Sequence, residues 1–217
     1  MPLTILLTGF GPFPGAPFNP ASSLPVRLAT RRRPALHDVR RVAHVFRTSY
    51  AAVDAELPKV LARERPDAVL LFGVATRTNY LRIETRARNA RSVLFSDVDG
   101  RRGGKAAIRL GGPGAIVGRA SHHLLLTAAK AARVPAKLSH SAGRYLCNFV
   151  YWRALEEAAS GNRPALVQFI HVPMVRRAPV RRPRPAGSRS LAQADLVRAG
   201  EAILMALVAT ARRRRAG

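Results

Sequence analysis

Short apolar runs rich in Val, Ile and Leu alternate along the chain with longer segments whose apolar residues recur every three to four positions. This is the pattern of an α/β domain with a largely buried sheet. Residues 3–8 predict a first strand, followed by a Gly/Pro loop to Asn19-Pro20. A helix then starts from Ser22 or Ser23 as cap, with Pro25 in its first turn, and runs to Thr30. Residues 39–47 predict a strand, and 50–65 a helix with Val53, Leu57, Val60 and Leu61 on one face. Residues 68–72 form a buried central strand, 81–89 an extended segment, and 91–114 a glycine-rich irregular loop. Residues 115–132 have the composition of a helix, 136–139 of a short strand, and 146–159 of a helix entered through a tight Ser-Ala-Gly turn. A buried strand at 165–171 is stopped by Pro173, and 176–189 is an aperiodic Pro/Arg loop. Ser190-Leu191-Ala192-Gln193 resembles a capping box, opening a last helix that frays into the arginines at 212–215.

The order predicts a single-domain three-layer α/β/α sandwich around a mostly parallel, twisted mixed sheet. It covers residues 1–211, with 212–217 as a basic tail. A length of 217 residues at 47% hydrophobic composition suits one core. No fixed-period repeat suggests a solenoid or propeller. No apolar stretch approaches the roughly 18 residues a membrane span needs, so no membrane partner is expected. The N-terminal apolar run lacks a basic flank and leads into Gly9-Phe10-Gly11-Pro12, so it is expected to be a strand and not a signal. One cysteine permits no internal disulfide, which suits a reducing, cytoplasmic setting.

The formal net charge of +25 raises a nucleic-acid-binding protein as an alternative of a different class. Two features weigh against it. The only lysines are Lys59, Lys105, Lys130 and Lys137, and the chain is rich in arginine and alanine, as a codon bias would produce. The basic runs also lie beside Pro, Ala or Gly and do not interleave with aromatic residues. Nucleic acid is therefore not an expected partner.

Cys147 lies at the turn into a helix, where unpaired N–H groups and the helix dipole favour a thiolate and could receive a developing oxyanion. A small buried hydrophobe is the alternative. His171 ends an apolar strand, where open α/β sheets gather catalytic groups, though a structural histidine satisfies the same pattern. Glu84 stands among arginines, as a salt-bridge partner would. His122 and His123 fall within a helix and His37 and His44 flank a strand, so no set has metal-ligand spacing. Neither metal nor cofactor is expected. The run Gly9-Phe10-Gly11-Pro12-Phe13-Pro14-Gly15 follows a strand, but its prolines remove donors a phosphate would need.

Four segments, in the same order, resemble the pyroglutamyl-peptidase I family of cysteine peptidases. Leu6-Leu7-Thr8-Gly9-Phe10-Gly11-Pro12-Phe13 with Asn19-Pro20 is similar to its opening strand and loop. Gly73 with Glu84, Ala87 and Asn89 keeps the frame of its glutamate signature. Ser141-Ala142-Gly143-Arg144-Tyr145-Leu146-Cys147-Asn148 and Phe169-Ile170-His171-Val172-Pro173 are similar to its cysteine and histidine segments. The resemblance implies removal of N-terminal pyroglutamate from small peptides with a blocked N-terminus, through a thioester on Cys147, with His171 as base and Glu84 as its orienting partner. It implies a substrate-binding set of Phe10, Phe13, Asn19, Val74, Tyr145 and Leu146, and a homo-oligomer, since the family often forms tetramers. The chain departs from the pattern in three places. Val74 stands where a glutamine reads the lactam, Arg82 and Thr85 where a Ser or Thr before the glutamate and a basic residue after it are usual, and Leu94-Phe95-Ser96-Asp97 where Arg-Ile-Pro-Asp is usual. Lost lactam hydrogen bonds cost binding, so a shifted substrate or lost activity is the alternative within the family.

Overall fold

The protein is described by a computed structural model covering residues 2–103, 107–161, 163–175 and 191–216. The expected Pro/Arg loop and Ser190 lie outside the described residues. The elements in order are β1 (Leu3–Phe10), α1 (Pro20–Ala29), β2 (Val39–Phe46), α2 (Tyr50–Glu64), β3 (Ala68–Ala75), β4 (Leu81–Glu84) and β5 (Arg86–Arg88). They continue with β6 (Ala115–Val117), α3 (His122–Ala131), β7 (Ala136–Ser139), α4 (Leu146–Ala159), β8 (Leu166–Pro173) and α5 (Gln193–Ala216).

Six strands form the main sheet in the order β2-β1-β3-β8-β4-β7. The first four are parallel, β4 runs antiparallel to β8, and β7 is parallel to β4. β1 and β8 are buried along their whole length, the reason they read as mostly apolar runs and not as alternating ones. One face of the sheet is covered by α1, α3 and α5 through Leu24, Leu28, Leu125, Ala129, Ile203 and Leu207. The other is covered by α2 and α4 through Val53, Leu57, Phe149 and Trp152. The architecture is the three-layer α/β/α sandwich that the sequence predicts. Among the described residues no helix is long and apolar enough to cross a membrane.

The structure corrects four local expectations. α1 starts before Ser22, because Asn19 is the cap, accepting the Ala21 N–H at 3.0 Å, and Pro20 fills the first helical position. Pro25 then lies inside the helix. The segment 81–89 is not one strand but breaks at Thr85, whose N–H goes to the Ser139 carbonyl at 2.7 Å while the chain turns into the small β5-β6 sheet. The helix expected over 115–132 is strand β6 followed by α3. Its start is diverted at Gly118, which donates to the Thr85 carbonyl at 3.0 Å and passes so near Tyr151 that a Cβ would lie 2.5 Å from its hydroxyl. Finally, the arginines at 212–215 continue α5 as its last turn, which carries basic residues where the helix dipole favours them.

Gly9 sets how closely α1 lies on β1. A Cβ there would fall 2.2 Å from the Ala21 carbonyl oxygen and 3.2 Å from Pro25 Cγ. The backbone of α1 would have to withdraw, so Gly9→Ala is expected to destabilise the fold by about 3 kcal/mol, the upper range of overpacking changes. Chemical denaturation should show a lower midpoint with an unchanged slope.

Candidate active site

The parallel strands β3 and β8 and the antiparallel β4 bring three positions into line across the sheet. Gly73 on β3 pairs with His171 on β8, and His171 pairs with Arg82 on β4. Glu84 lies two residues beyond Arg82 and therefore on the same face, because strand side chains alternate. α4 covers this face, and its second residue, Cys147, reaches over Gly73. A Cβ on Gly73 would sit 2.7 Å from the Cys147 sulfur and 2.7 Å from Phe169 Cζ. Only a residue without a side chain leaves room for the thiol there.

His171 is buried, 5% exposed, and its Nδ1 lies 2.7 Å from Glu84 Oε1. The Cys147 side chain also acts on this ring and favours its charged form. Burial pushes the imidazole down, but Cys147 and the Glu84 carboxylate outweigh burial and raise it to about 9. An imidazole held between a thiol and a carboxylate can take the thiol proton and keep it as imidazolium.

Glu84 is fully buried, and its backbone carbonyl is fixed from two sides, by the Tyr151 hydroxyl at 3.1 Å and Gln168 Nε2 at 2.9 Å. Burial and the nearby Glu84 push the Tyr151 phenol up, so it remains a donor. Oε1 of Glu84 also faces Arg82 Nε at 3.1 Å, whereas Oε2 has no hydrogen-bond partner among the described residues.

Gly143, at φ 84°, turns the chain from β7 toward α4 in a conformation few other residues adopt. α1 and α2 have side-chain caps from Asn19 and Ser49, but no side chain caps α4 at Tyr145. The first N–H groups of α4, those beside the Cys147 sulfur, are thus not occupied by a capping side chain and can receive an anion. Asn148 follows the cysteine and is fully buried. It accepts the Arg88 N–H at 2.8 Å and donates to the carbonyls of Arg88 at 2.8 Å and Ala90 at 3.0 Å, fixing α4 to β5.

The remaining residues singled out from the sequence divide into two groups. Phe10, Tyr145 and Leu146 join the apolar cluster that Cys147 packs against. Val74 adjoins Gly73, half-buried opposite Val172. The Tyr145 hydroxyl donates to the Ser96 carbonyl at 2.8 Å, and its ring packs on Tyr50 and Phe95, with Leu94 and Phe95 exposed beside it. Phe13 lies in the loop after β1, bridged through its backbone to Ala16. Asn19 spends its side chain within the protein, donating to the carbonyls of Phe10 and Gly11 at 2.9 and 3.1 Å while capping α1. Asn89 likewise holds the loop at Ile108 and Arg109.

Sequence reasoning did not single out Asn148, Tyr151, Gln168, Asp97 or Arg82 as supports of this region. Asp97 caps α2 by accepting the Tyr50 N–H at 3.0 Å and binds the N–H groups of Asp99 and Arg101 at 3.0 and 2.9 Å. Only Arg82 carried a usable signal, its two-residue spacing from Glu84 within one strand. Among the described residues no group of three His, Cys, Asp or Glu could hold a metal ion.

Comparison with known proteins identifies the family and the fold. The family model described as pyroglutamyl peptidase matches residues 3–212. A pyrrolidone-carboxylate peptidase of Gloeobacter violaceus is 30% identical over 205 residues, 94% of this chain and 97% of that one. One from Thermococcus onnurineus is 28% identical over 203 residues, 93% and 97% of the two chains. The pyrrolidone carboxyl peptidase of Thermococcus litoralis superposes with a TM-score of 0.88 at 24% identity, covering 99% of this chain and 96% of that one. That of Fervidobacterium islandicum superposes with a TM-score of 0.84 at 27% identity, covering 94% and 98%. With its cysteine, histidine and glutamate segments on one face of a shared fold, this chain belongs to the pyroglutamyl peptidase family, a family of cysteine peptidases.

Proposed function

We propose that the protein hydrolyses the bond after an N-terminal pyroglutamate of small peptides, with Cys147 as nucleophile, His171 as base and then acid, and Glu84 orienting the imidazole. The observation that carries this reading is His171 itself, buried, bonded to Glu84 and paired across the sheet with Gly73, over which the Cys147 sulfur sits. The thiolate attacks the pyroglutamyl carbonyl carbon, and the resulting oxyanion faces the uncapped N–H groups of α4. The imidazolium protonates the leaving amine as the C–N bond breaks, leaving a thioester. His171 then deprotonates a water that attacks the thioester, releasing pyroglutamate and restoring the thiol. No metal or cofactor takes part in this sequence. Family membership and the apolar surroundings of Cys147 support the substrate.

The test is release of a fluorophore from a pyroglutamyl arylamide under reducing conditions. Turnover that iodoacetamide abolishes is the expected result, and alkylator-insensitive turnover would remove the reading. The imidazolium is the charged form below its raised pKa, so kcat/KM should fall as pH rises through about 9.

Val74 favours a second reading, in which the same hydrolase accepts a different acyl residue. An apolar side chain beside Gly73 offers no amide to a lactam. Labelling of Cys147 by a thiol-directed probe without pyroglutamyl turnover would distinguish it.

A further inference from the structure

Among the described residues, Arg82 is the one cation in salt-bridge contact with the Glu84 carboxylate that cannot lose its charge during turnover. Its Nε lies 3.1 Å from Glu84 Oε1, the same oxygen that His171 Nδ1 approaches at 2.7 Å. The guanidinium is fixed independently of Glu84. Nε and Nη2 donate to Ser139 Oγ at 3.2 and 2.6 Å, and Nη2 donates to the Ser141 carbonyl at 2.5 Å. Ser139 ends β7 and Ser141 begins the turn into α4, so the fork joins the carboxylate strand to the approach of the cysteine helix.

A buried carboxylate is costly unless paired, and Oε2 of Glu84 has no partner among the described residues. Within the reaction proposed above, on which this inference rests, His171 becomes neutral each time it protonates a leaving amine. Arginine stays charged at any working pH. We propose that Arg82 is a positioning residue of the site, serving as the permanent counter-charge of Glu84 while His171 alternates between its two protonation states.

Two consequences for acid–base behaviour follow. A neutral residue at 82 takes away the fixed positive charge 3.1 Å from Glu84 Oε1, so the site as a whole binds protons more readily. It also removes a like charge from the strand position directly opposite His171, so the imidazolium is held more tightly. The remaining titratable groups around the pair are Cys147 and Tyr151 of α4, His140 in the turn after β7, bonded to Thr85 Oγ1 at 2.8 Å, and Lys137 of β7, whose ammonium lies over Tyr80. His122 lies beyond Tyr151, near Gly118. All of these remain unchanged in the substitution below.

The chain has one cysteine, so the rate of iodoacetamide alkylation reports Cys147 alone and requires no substrate. The expected wild-type rate is a plateau between an acid and an alkaline limb, bounding the thiolate–imidazolium pair. In Arg82→Gln both limbs should move to higher pH, the acid limb by about one unit or more, and Arg82→Lys should return both toward wild type. Arg82→Ser supplies the neutral arm should Arg82→Gln fail to fold. A merely structural bond would lower the plateau without moving the limbs. Unmoved limbs, or equal shifts in the Gln and Lys variants, would overturn the role of Arg82 while leaving the cysteine mechanism intact. A wild-type profile with the single limb of an ordinary thiol near pKa 8.5 would instead overturn the reading of Cys147, and this inference with it.

Discussion

Cys147→Ala should lower turnover of a pyroglutamyl arylamide by about 10⁴-fold or more, since removing a covalent nucleophile leaves only binding and oxyanion stabilisation. The fold should tolerate the change. Cys147 is only partly buried, packs at the edge of the α2/α4-side cluster, and its neighbours Leu146, Asn148 and Phe149 carry the contacts that seat the helix. Denaturation of the variant should therefore track wild type within about 1 kcal/mol, the range of small volume changes at incompletely buried sites. Equal activity in variant and wild type would remove Cys147 from the mechanism. Loss of activity together with collapse of stability would shift the residue toward a packing role.

The second large effect is expected at Gly73→Ala, a substitution that leaves every chemical group in place. The new methyl would meet the Cys147 sulfur and Phe169 Cζ, each 2.7 Å from the ideal Cβ position. Phe169 is fully buried between α4 and the sheet and has little freedom to move. The short cysteine side chain gives way instead, turning from His171. A misplacement of about 1 Å at reacting atoms can cost about 10²-fold in rate, so kcat should fall by that order and the alkylation rate of Cys147 with it. Gly114→Ala is the control, because a Cβ there meets nothing within 4 Å. A Gly73→Ala enzyme with wild-type kcat would show that the thiol does not need the position the structure gives it.

The architecture was readable from periodicity because the two deepest strands, β1 and β8, are mostly apolar and buried along their whole length. The start of α1 carried a local signal, Asn19 capping Ala21 ahead of Pro20, but the sequence reading prefers the capping serines. At Thr85 and Gly118 the outcome depends on hydrogen bonds or close approaches to residues distant in sequence, Ser139 and Tyr151. Windowed propensity cannot register these. The three segments around Glu84, Cys147 and His171 were visible as a resemblance, and the structure gathers them on one sheet face. What chemistry alone suggested was weaker, since a lone cysteine, a strand-end histidine and an arginine-flanked glutamate each have an ordinary structural explanation. The charge on Arg82 was visible in the sequence, but its meaning required the strand pairing that sets it opposite His171.

Asn148 gives the site a mechanical property. Its three hydrogen bonds to the segment just past Glu84 mean that α4 cannot lift from the sheet without exposing a buried amide and three backbone groups at once. Cys147 and Glu84 thus ride on one cooperative unit. Heat should therefore take the catalytic geometry only when it opens this unit as a whole.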